Sequence, residues 1–334
     1  MLRFIVIISF SLLFNYYIQA QTCCSGGVPL SSNLGLPASQ ANVLQINWSY
    51  DLNVLNRLQT GFELEADRAR TRRTHSMLLE LGYSFSNRIS VDLFFSYVRQ
   101  ERRIEQAVGS DFDFTQGIGD VVALLKYKLL SLNEDNTTLT AAVGIKAPLG
   151  ASNLTDPNGI TLNADLQPGS GAWDGIFWAQ FTHNLAFRPS MSMAATSTYS
   201  WKGTNPDYLP IFDPVLGTQR AQRYGFGNEL QIILSLSDRL LLGNALIDPS
   251  LTIRYRKALQ DEQNEIKLPN TGGEWIFITP GLSYWLLPAF SINANFEVPI
   301  YSFIEGTQVA PSYRMNLGVY YRLDLKTKET PFNF

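Results

Sequence analysis

Cysteine is nearly absent. The 334 residues hold two, Cys23 and Cys24, side by side near the N-terminus. A disulfide framework is therefore excluded; a vicinal disulfide, a soft-metal contact, or thiols with no chemical part stay open to the pair. A lipid-anchored start needs a small-residue box ending in Cys, and Ala20-Gln21-Thr22-Cys23 fits that poorly. Histidine is as scarce, with His75 and His183 alone. So few soft ligands give a zinc site little support, and no cofactor is expected. Excess positive charge is missing too: the formal net charge is −3, and no basic run is interleaved with aromatics. Nucleic acid is excluded as a partner on that ground. Beyond the leader no apolar run approaches twenty residues, which excludes helical membrane spans.

The leader has the form of a secretory signal. Arg3 is its charge, Phe4 to Phe14 its apolar core, and Ala20 precedes a plausible cleavage point. The expected organisation is a signal over 1–20, a Gly/Ser/Pro-rich lead over 21–40 and one domain over 41–334. The lead holds Gly26, Gly27, Pro29 and Pro37 without periodicity, so it is expected to plug the domain or hang below it.

What the chain does have is alternation. In MLLELGYSFSNRISVDLFFSYVR (77–99), Met77, Leu79, Leu81, Tyr83 and Phe85 share one face of an arm. Ile89, Val91, Leu93, Phe95 and Tyr97 share one face of the next, with Ser86, Asn87 and Arg88 between the two. Successive strand residues point to opposite faces, so this is a hairpin with one apolar and one largely polar side. Each arm is about ten residues, against roughly five or six for ordinary strands. The pattern recurs through the chain to Tyr313–Leu323 and predicts about twelve strands. Connections alternate in length. Short turns are expected near 86–88, 131–136, 185–190, 236–239 and 286–289. Long loops are expected near 55–74, 101–117, 149–172, 202–222 and 257–273, with an intermediate connection at 303–311.

A soluble barrel of twelve long strands would have an oversized interior to fill. Lipid on the apolar face is the better reading: an all-β, transmembrane antiparallel β-barrel of about twelve strands, with 12% aromatics to supply interfacial rings. The expected location is the bacterial outer membrane, with lipid as a partner and long loops outside. An even strand number puts both termini in the periplasm.

Several stretches resemble a known family. GIGDVVALLKYKLL (117–130), GIKAPLG (144–150), LQPGSGAWD (166–174), TPGLSYWL (279–286), NFEVPIYSFIEGTQVAPSYRMNLGVYYRL (295–323) and CCSGGVPLSSNLGLP (23–37) are similar to segments of the outer-membrane proteins named for the meta-cleavage pathway of phenol degradation. The final strand and terminal Phe334 also resemble the assembly signal that ends bacterial outer-membrane proteins. The family resemblance implies a channel for aromatic or other hydrophobic compounds, and brings no catalytic residue.

If the apolar series faces lipid, the inward face carries Asp51, Glu80, Asp92, Asp120, Lys126, Lys128, Lys146, Arg254, Arg256, Glu297, Arg314 and Arg322. These are the candidate lumen-lining residues. They either form a charged pore lining or pair across the lumen and brace the wall. Pro249, Pro280 and Pro299 fall in predicted strands, where each removes a ladder hydrogen bond and marks a bulge or an opening. ELEADRARTRR (63–73) reads as a solvated outer loop, with Arg68, Arg70, Arg72 and Arg73 available to an anionic glycolipid. His75 and Ser76 are adjacent, point to opposite faces of a strand, and so cannot pair as a lipase would require. An enzyme is not expected. The expected function is passive passage of small, hydrophobic or aromatic solutes; the alternative is a structural or surface-interaction barrel that transports nothing.

Overall fold

A computed structural model describes residues 40–66, 69–105, 109–133, 135–208 and 221–325. The signal, the lead with Cys23 and Cys24, Arg68 and Phe334 lie outside the described residues.

The chain runs through β1 (Val43–Gly61), β2 (Glu63–Leu64), β3 (Arg70–Ser84), β4 (Ile89–Glu105), β5 (Ser110–Ile118) and β6 (Val121–Leu132). Next come β7 (Thr137–Ala147), a single 3-10 turn (Ala164–Leu166), β8 (Asp174–Leu185), β9 (Arg188–Trp201) and β10 (Thr204–Tyr208). Then follow β11 (Gln222–Gly225), β12 (Glu229–Asp238), β13 (Leu240–Leu242), β14 (Ala245–Ala258), β15 (Glu262–Gln263) and β16 (Ile266–Lys267). The last are β17 (Gly273–Leu287) and β18 (Phe290–Asp324).

Eleven of these close an antiparallel wall in the order β12-β9-β8-β7-β6-β4-β3-β1-β18-β17-β14, and β14 pairs back to β12. A closed wall leaves no edge, which is what a β-structure in hydrocarbon requires. β18 is 35 residues long and supplies two crossings. Phe290 to Ile304 pairs with β17, and Ile304 to Asp324 pairs with β1. The chain reverses at Gly306, whose φ is +62° and where a Cβ would lie 2.4 Å from the Pro269 carbonyl oxygen. Across the reversal Phe296 stacks on Tyr313 with centroids 6.0 Å apart, and the Arg322 N–H donates to the Ala289 carbonyl at 2.9 Å. The wall is thus crossed twelve times. The connection expected at 303–311 is a tight turn, because glycine alone tolerates that backbone in so close a contact.

The alternation sets the faces. Trp48, Met77, Phe95, Leu125, Val143, Phe177, Leu234, Leu282 and Leu317 are exposed on the outside. Their strand neighbours Ser49, Ser76, Ser96, Lys126 and Ala142 are buried on the inside. Ring clusters mark both rims: Tyr83 with Phe85 at one, and Phe62 with Tyr301 and Phe303 at the other.

Several expected loops are strand. β4 has 17 residues, where a tilted crossing of the bilayer takes about 9–11. The excess, with β5, fills the loop expected at 101–117. β1 and β3 likewise shorten the one at 55–74, so Arg70, Arg72 and Arg73 belong to a strand. The segments 202–222 and 257–273 contribute β10, β11, β15 and β16, a separate four-stranded sheet at the same rim. Of the three prolines, Pro299 lies at a register shift, where Ile276 pairs Tyr301 and Phe277 pairs Pro299. Pro249 and Pro280 sit in unshifted register opposite Leu282 and Leu251, so neither marks a bulge.

Candidate functional site: the inner face and its inward loop

The sequence predicts 149–172 as a long outer loop. It turns inward instead. Leu166 and Gln167 are buried, and the loop is laced to the wall at both ends. The Gln167 side chain ties the loop to itself: it donates to the Leu154 and Leu162 carbonyls at 3.0 and 2.9 Å and accepts the Leu154 N–H at 2.8 Å. Gln100 of β4 donates to the Gln167 carbonyl at 2.9 Å, and Thr115 of β5 donates to that of Leu166. Arg72 of β3 meets Asp165 at 2.6 Å and also donates to Gln100.

The two ends of the loop are held by one knot of charge. Asp120, fully buried, accepts the backbone N–H groups of Gly150 and Ser170 at 3.1 and 3.0 Å and the Ser170 hydroxyl at 2.7 Å. Lys146 lies 3.2 Å from Asp120 and 2.7 Å from Asp174. Asp174 in turn accepts the Gly203 N–H at 3.0 Å. Buried charge must be paired and hydrogen-bonded, and here each member is. The loop ends cross where a Cβ on Gly169 would stand 2.5 Å from the Gly150 backbone, so only glycines fit. The three glycine-rich stretches GIGD, GIKAPLG and LQPGSGAWD thus converge on one place.

The structure buries ten of the twelve charged candidates on the inner face: Asp51, Glu80, Asp92, Asp120, Lys126, Lys128, Lys146, Arg254, Glu297 and Arg314. Arg256 and Arg322 are half-buried. Lys126 pairs with Asp92 at 2.6 Å, Arg314 with Asp51 at 2.6 Å, and Arg256 with Glu229 at 2.8 Å. Arg254 clasps Glu297 with two bonds, at 3.0 and 2.6 Å. Glu80 accepts from Asn47 at 3.4 Å, and Lys128 reaches Asp135 in the turn below it at 3.1 Å. These pairs join strands that are adjacent in the wall or one strand apart. These pairs run along the wall, where neighbouring inward positions lie closer than opposite ones.

The sequence reading missed an apolar patch on the same face. Leu78, Phe94, Val122, Leu124, Ala142, Ile176 and Trp178 form one buried cluster over β3, β4, β6, β7 and β8. Its signal is the break in alternation: MLLEL, LFF and VVALL put apolar residues on both faces at once. Cations stand over the inward rings. Lys126 lies 5.8 Å from the Trp178 ring centre, Arg254 4.2 Å from Phe277 and Arg256 5.1 Å from Trp275. The indole N–H groups of Trp178 and Trp275 are buried and make no hydrogen bond among the described residues. His75 and Ser76 lie on opposite faces; Ser76 is buried inside, and His75 is 2.7 Å from the Tyr50 hydroxyl outside.

A closed antiparallel wall with an apolar belt outside, charge inside and one loop folded into the interior defines a β-barrel of the outer-membrane type. The chain belongs to the family described as the MetA pathway of phenol degradation, whose profile matches residues 49–310. Among solved structures it is similar to an outer-membrane channel from Pseudomonas putida F1, at 15% identity and a TM-score of 0.65, over 86% of this chain and 97% of that one. It is similar also to the β domain of the Bordetella autotransporter Brka, at 12% identity and a TM-score of 0.49, over 84% and 99% of the two chains. No curated protein sequence matches the chain.

Proposed function

We propose that this protein is a channel of the bacterial outer membrane for passive uptake of small hydrophobic or aromatic solutes. The observation that carries this reading is the apolar patch centred on Leu124 and Trp178, on an inner face that otherwise mixes charge pairs, Ser, Thr and Gln side chains and the smaller Trp275–Phe277 cluster. The patch is packed, with Leu124 and Trp178 buried, so a ring would reach it as the lining side chains shift, and the indole N–H of Trp178 would then offer a donor to a ring hydroxyl. The family's link to phenol degradation and the fold shared with an outer-membrane channel support the same reading.

On this reading Asp51, Glu80, Asp92, Asp120, Lys126, Lys128, Lys146, Arg254, Arg256, Glu297, Arg314 and Arg322 line the path. The loop 148–172 narrows it from outside, and both termini are periplasmic. Twelve crossings lie between the eight that side chains fill and the sixteen of open porins, so conductance is small. The test is uptake into proteoliposomes of phenol against a sugar of similar mass. Phenol is expected to enter faster, and Leu124→Asn is expected to slow phenol while leaving ionic conductance unchanged. Equal rates for phenol in protein-containing and empty liposomes would leave the transporting role without support and favour a structural or surface-interaction barrel.

A further inference from the structure

The outer face of β3, β4 and β5 changes character along its length. In register from one rim, Tyr83 faces Val91, Leu81 faces Leu93, Leu79 faces Phe95 and Met77 faces Tyr97. All of these point outward and are apolar or aromatic. The next outward rows are His75 with Arg99, Arg73 with Glu101, and Thr71 with Arg103. β5 adds Ile118 beside Tyr97, Phe114 beside Glu101 and Phe112 beside Arg103. The lipid-facing band therefore ends at Met77 and Tyr97, and arginines begin one row above. Outward rows are about 7 Å apart along a strand, so this is the height of lipid headgroups.

The cluster is amphipathic as well as basic. Arg99 lies 5.0 Å from the Phe114 ring centre and Arg103 5.7 Å from that of Phe112, and the two rings stack 6.0 Å apart. Phe112, Phe114 and Ile118 are exposed at 46%, 49% and 63%. Arg99 Nε donates to Glu101 at 2.8 Å, and Glu101 also stands 4.0 Å from His75. That leaves Arg73 and Arg103 across a groove of about 190 Å³, lined besides by Thr71, Glu101, Glu105 and Phe112. Arg73 makes no ion pair among the described residues.

We infer that this face holds a phosphorylated glycolipid of the outer leaflet. Its phosphate would sit between Arg73 and Arg103, and its acyl chains would run down Phe112, Phe114 and Ile118 onto the apolar band. Continuity with the lipid-facing surface points to a lipid rather than to a soluble partner. Guanidinium groups flanking a groove fit phosphate oxygens by charge-assisted hydrogen bonds. The aromatic rings beside them fit a molecule that is anionic at one end and apolar at the other.

The inference rests on the orientation given under the proposed function, with this rim outside, but its test is separate from transport. Purified full-length barrel is mixed with bis-phosphorylated lipid A, its dephosphorylated counterpart or phosphatidylglycerol, and retained lipid is counted by native mass spectrometry. Bis-phosphorylated lipid A is expected to be retained preferentially, and R73Q/R103Q to retain about tenfold less. R188Q/R239Q, at the opposite rim, should retain as much as the unaltered chain. Heat-modifiable migration verifies that each variant is folded, and the three-lipid comparison on the unaltered chain needs no variant. Equal retention of all three lipids, or retention untouched by R73Q/R103Q, overturns the site. Phenol uptake, measured in liposomes free of lipid A, stands or falls independently.

Discussion

Arg72, on strand β3, lies 2.6 Å from Asp165, in the loop that enters the barrel from between β7 and β8. The pair joins segments 93 residues apart and fixes the middle of the loop to the wall. Replacing Asp165 with Ala leaves Arg72 buried without its carboxylate, at a cost of about 3–5 kcal/mol, which loop release relieves by admitting water. Single-channel conductance of D165A is expected to rise several-fold while the barrel keeps its heat-modifiable migration. Unchanged conductance would mean that the loop does not obstruct the path.

The charge pairs are expected to differ in worth by location. Lys146 stands between two buried carboxylates, Asp120 and Asp174. Removing it in K146A leaves like charges together in the interior and is expected to cost about 3–5 kcal/mol. Lys128 pairs with Asp135, whose side chain is 54% exposed, so K128A is expected to cost about 1 kcal/mol or less. Urea titrations of the two variants in detergent or lipid check the order; a reversed order would contradict the knot's role.

The small sheet of β10, β11, β15 and β16 should loosen as pH rises. Asp261 accepts the Tyr224 hydroxyl and the Gly227 N–H, each at 2.7 Å. Burial pushes both the Asp261 carboxyl and the Tyr224 hydroxyl above their usual values. Groups raised in this way hold more protons folded than unfolded, so stability falls with increasing pH. The Asp261 contribution is complete below the ordinary carboxylate value of about 3.9 and is lost as pH passes its raised value. That of Tyr224 begins to be lost above about pH 10. Hydrogen exchange at the Gly227 amide, corrected for its intrinsic pH dependence, should show protection falling across both windows. The alkaline step should vanish in Tyr224→Phe, and protection that grew with pH would refute the assignment.

Topology is checked by labelling. Cysteines placed at Asn158 and Ile266 are expected to react with impermeant reagents on intact cells; those at Asn87 and Asn244 are not. Labelling confined to Asn87 and Asn244 would invert the barrel.

The wall was legible in the sequence where one face was apolar and the other polar, as in Met77 to Tyr97. It was not legible where strands leave the bilayer: Arg99 to Glu105 alternates charge with charge and so looks like a loop. The reversal at Gly306 carries no loop composition and hides inside an alternating run. The inward turn of 148–172 depends on Arg72, Asp120 and Lys146, whose bonds to it span 24 to 93 residues of chain, beyond any local pattern. The inward burial of charges such as Lys126 and Arg254 was legible because a charge in every second position of a spanning strand has only the inside to face. The patch around Leu124 lay in doubled apolar residues, such as Val121-Val122, that alternation alone treats as noise.

β1 pairs with the final arm of β18 from Val43 with Asp324 to Gly61 with Ile304. The ladder joins the two ends of the domain, so it can form only when the whole chain is present. Every other long ladder of the wall joins segments much nearer in sequence, and short-range closure costs less entropy. This difference predicts an order of assembly. A curved sheet from β3 to β9 can form first, with the loop 148–172 already seated against Arg72, Gln100 and Thr115 on its concave side. The β1–β18 seam then shuts around a loop that is in place, and no loop has to be threaded into a finished cylinder.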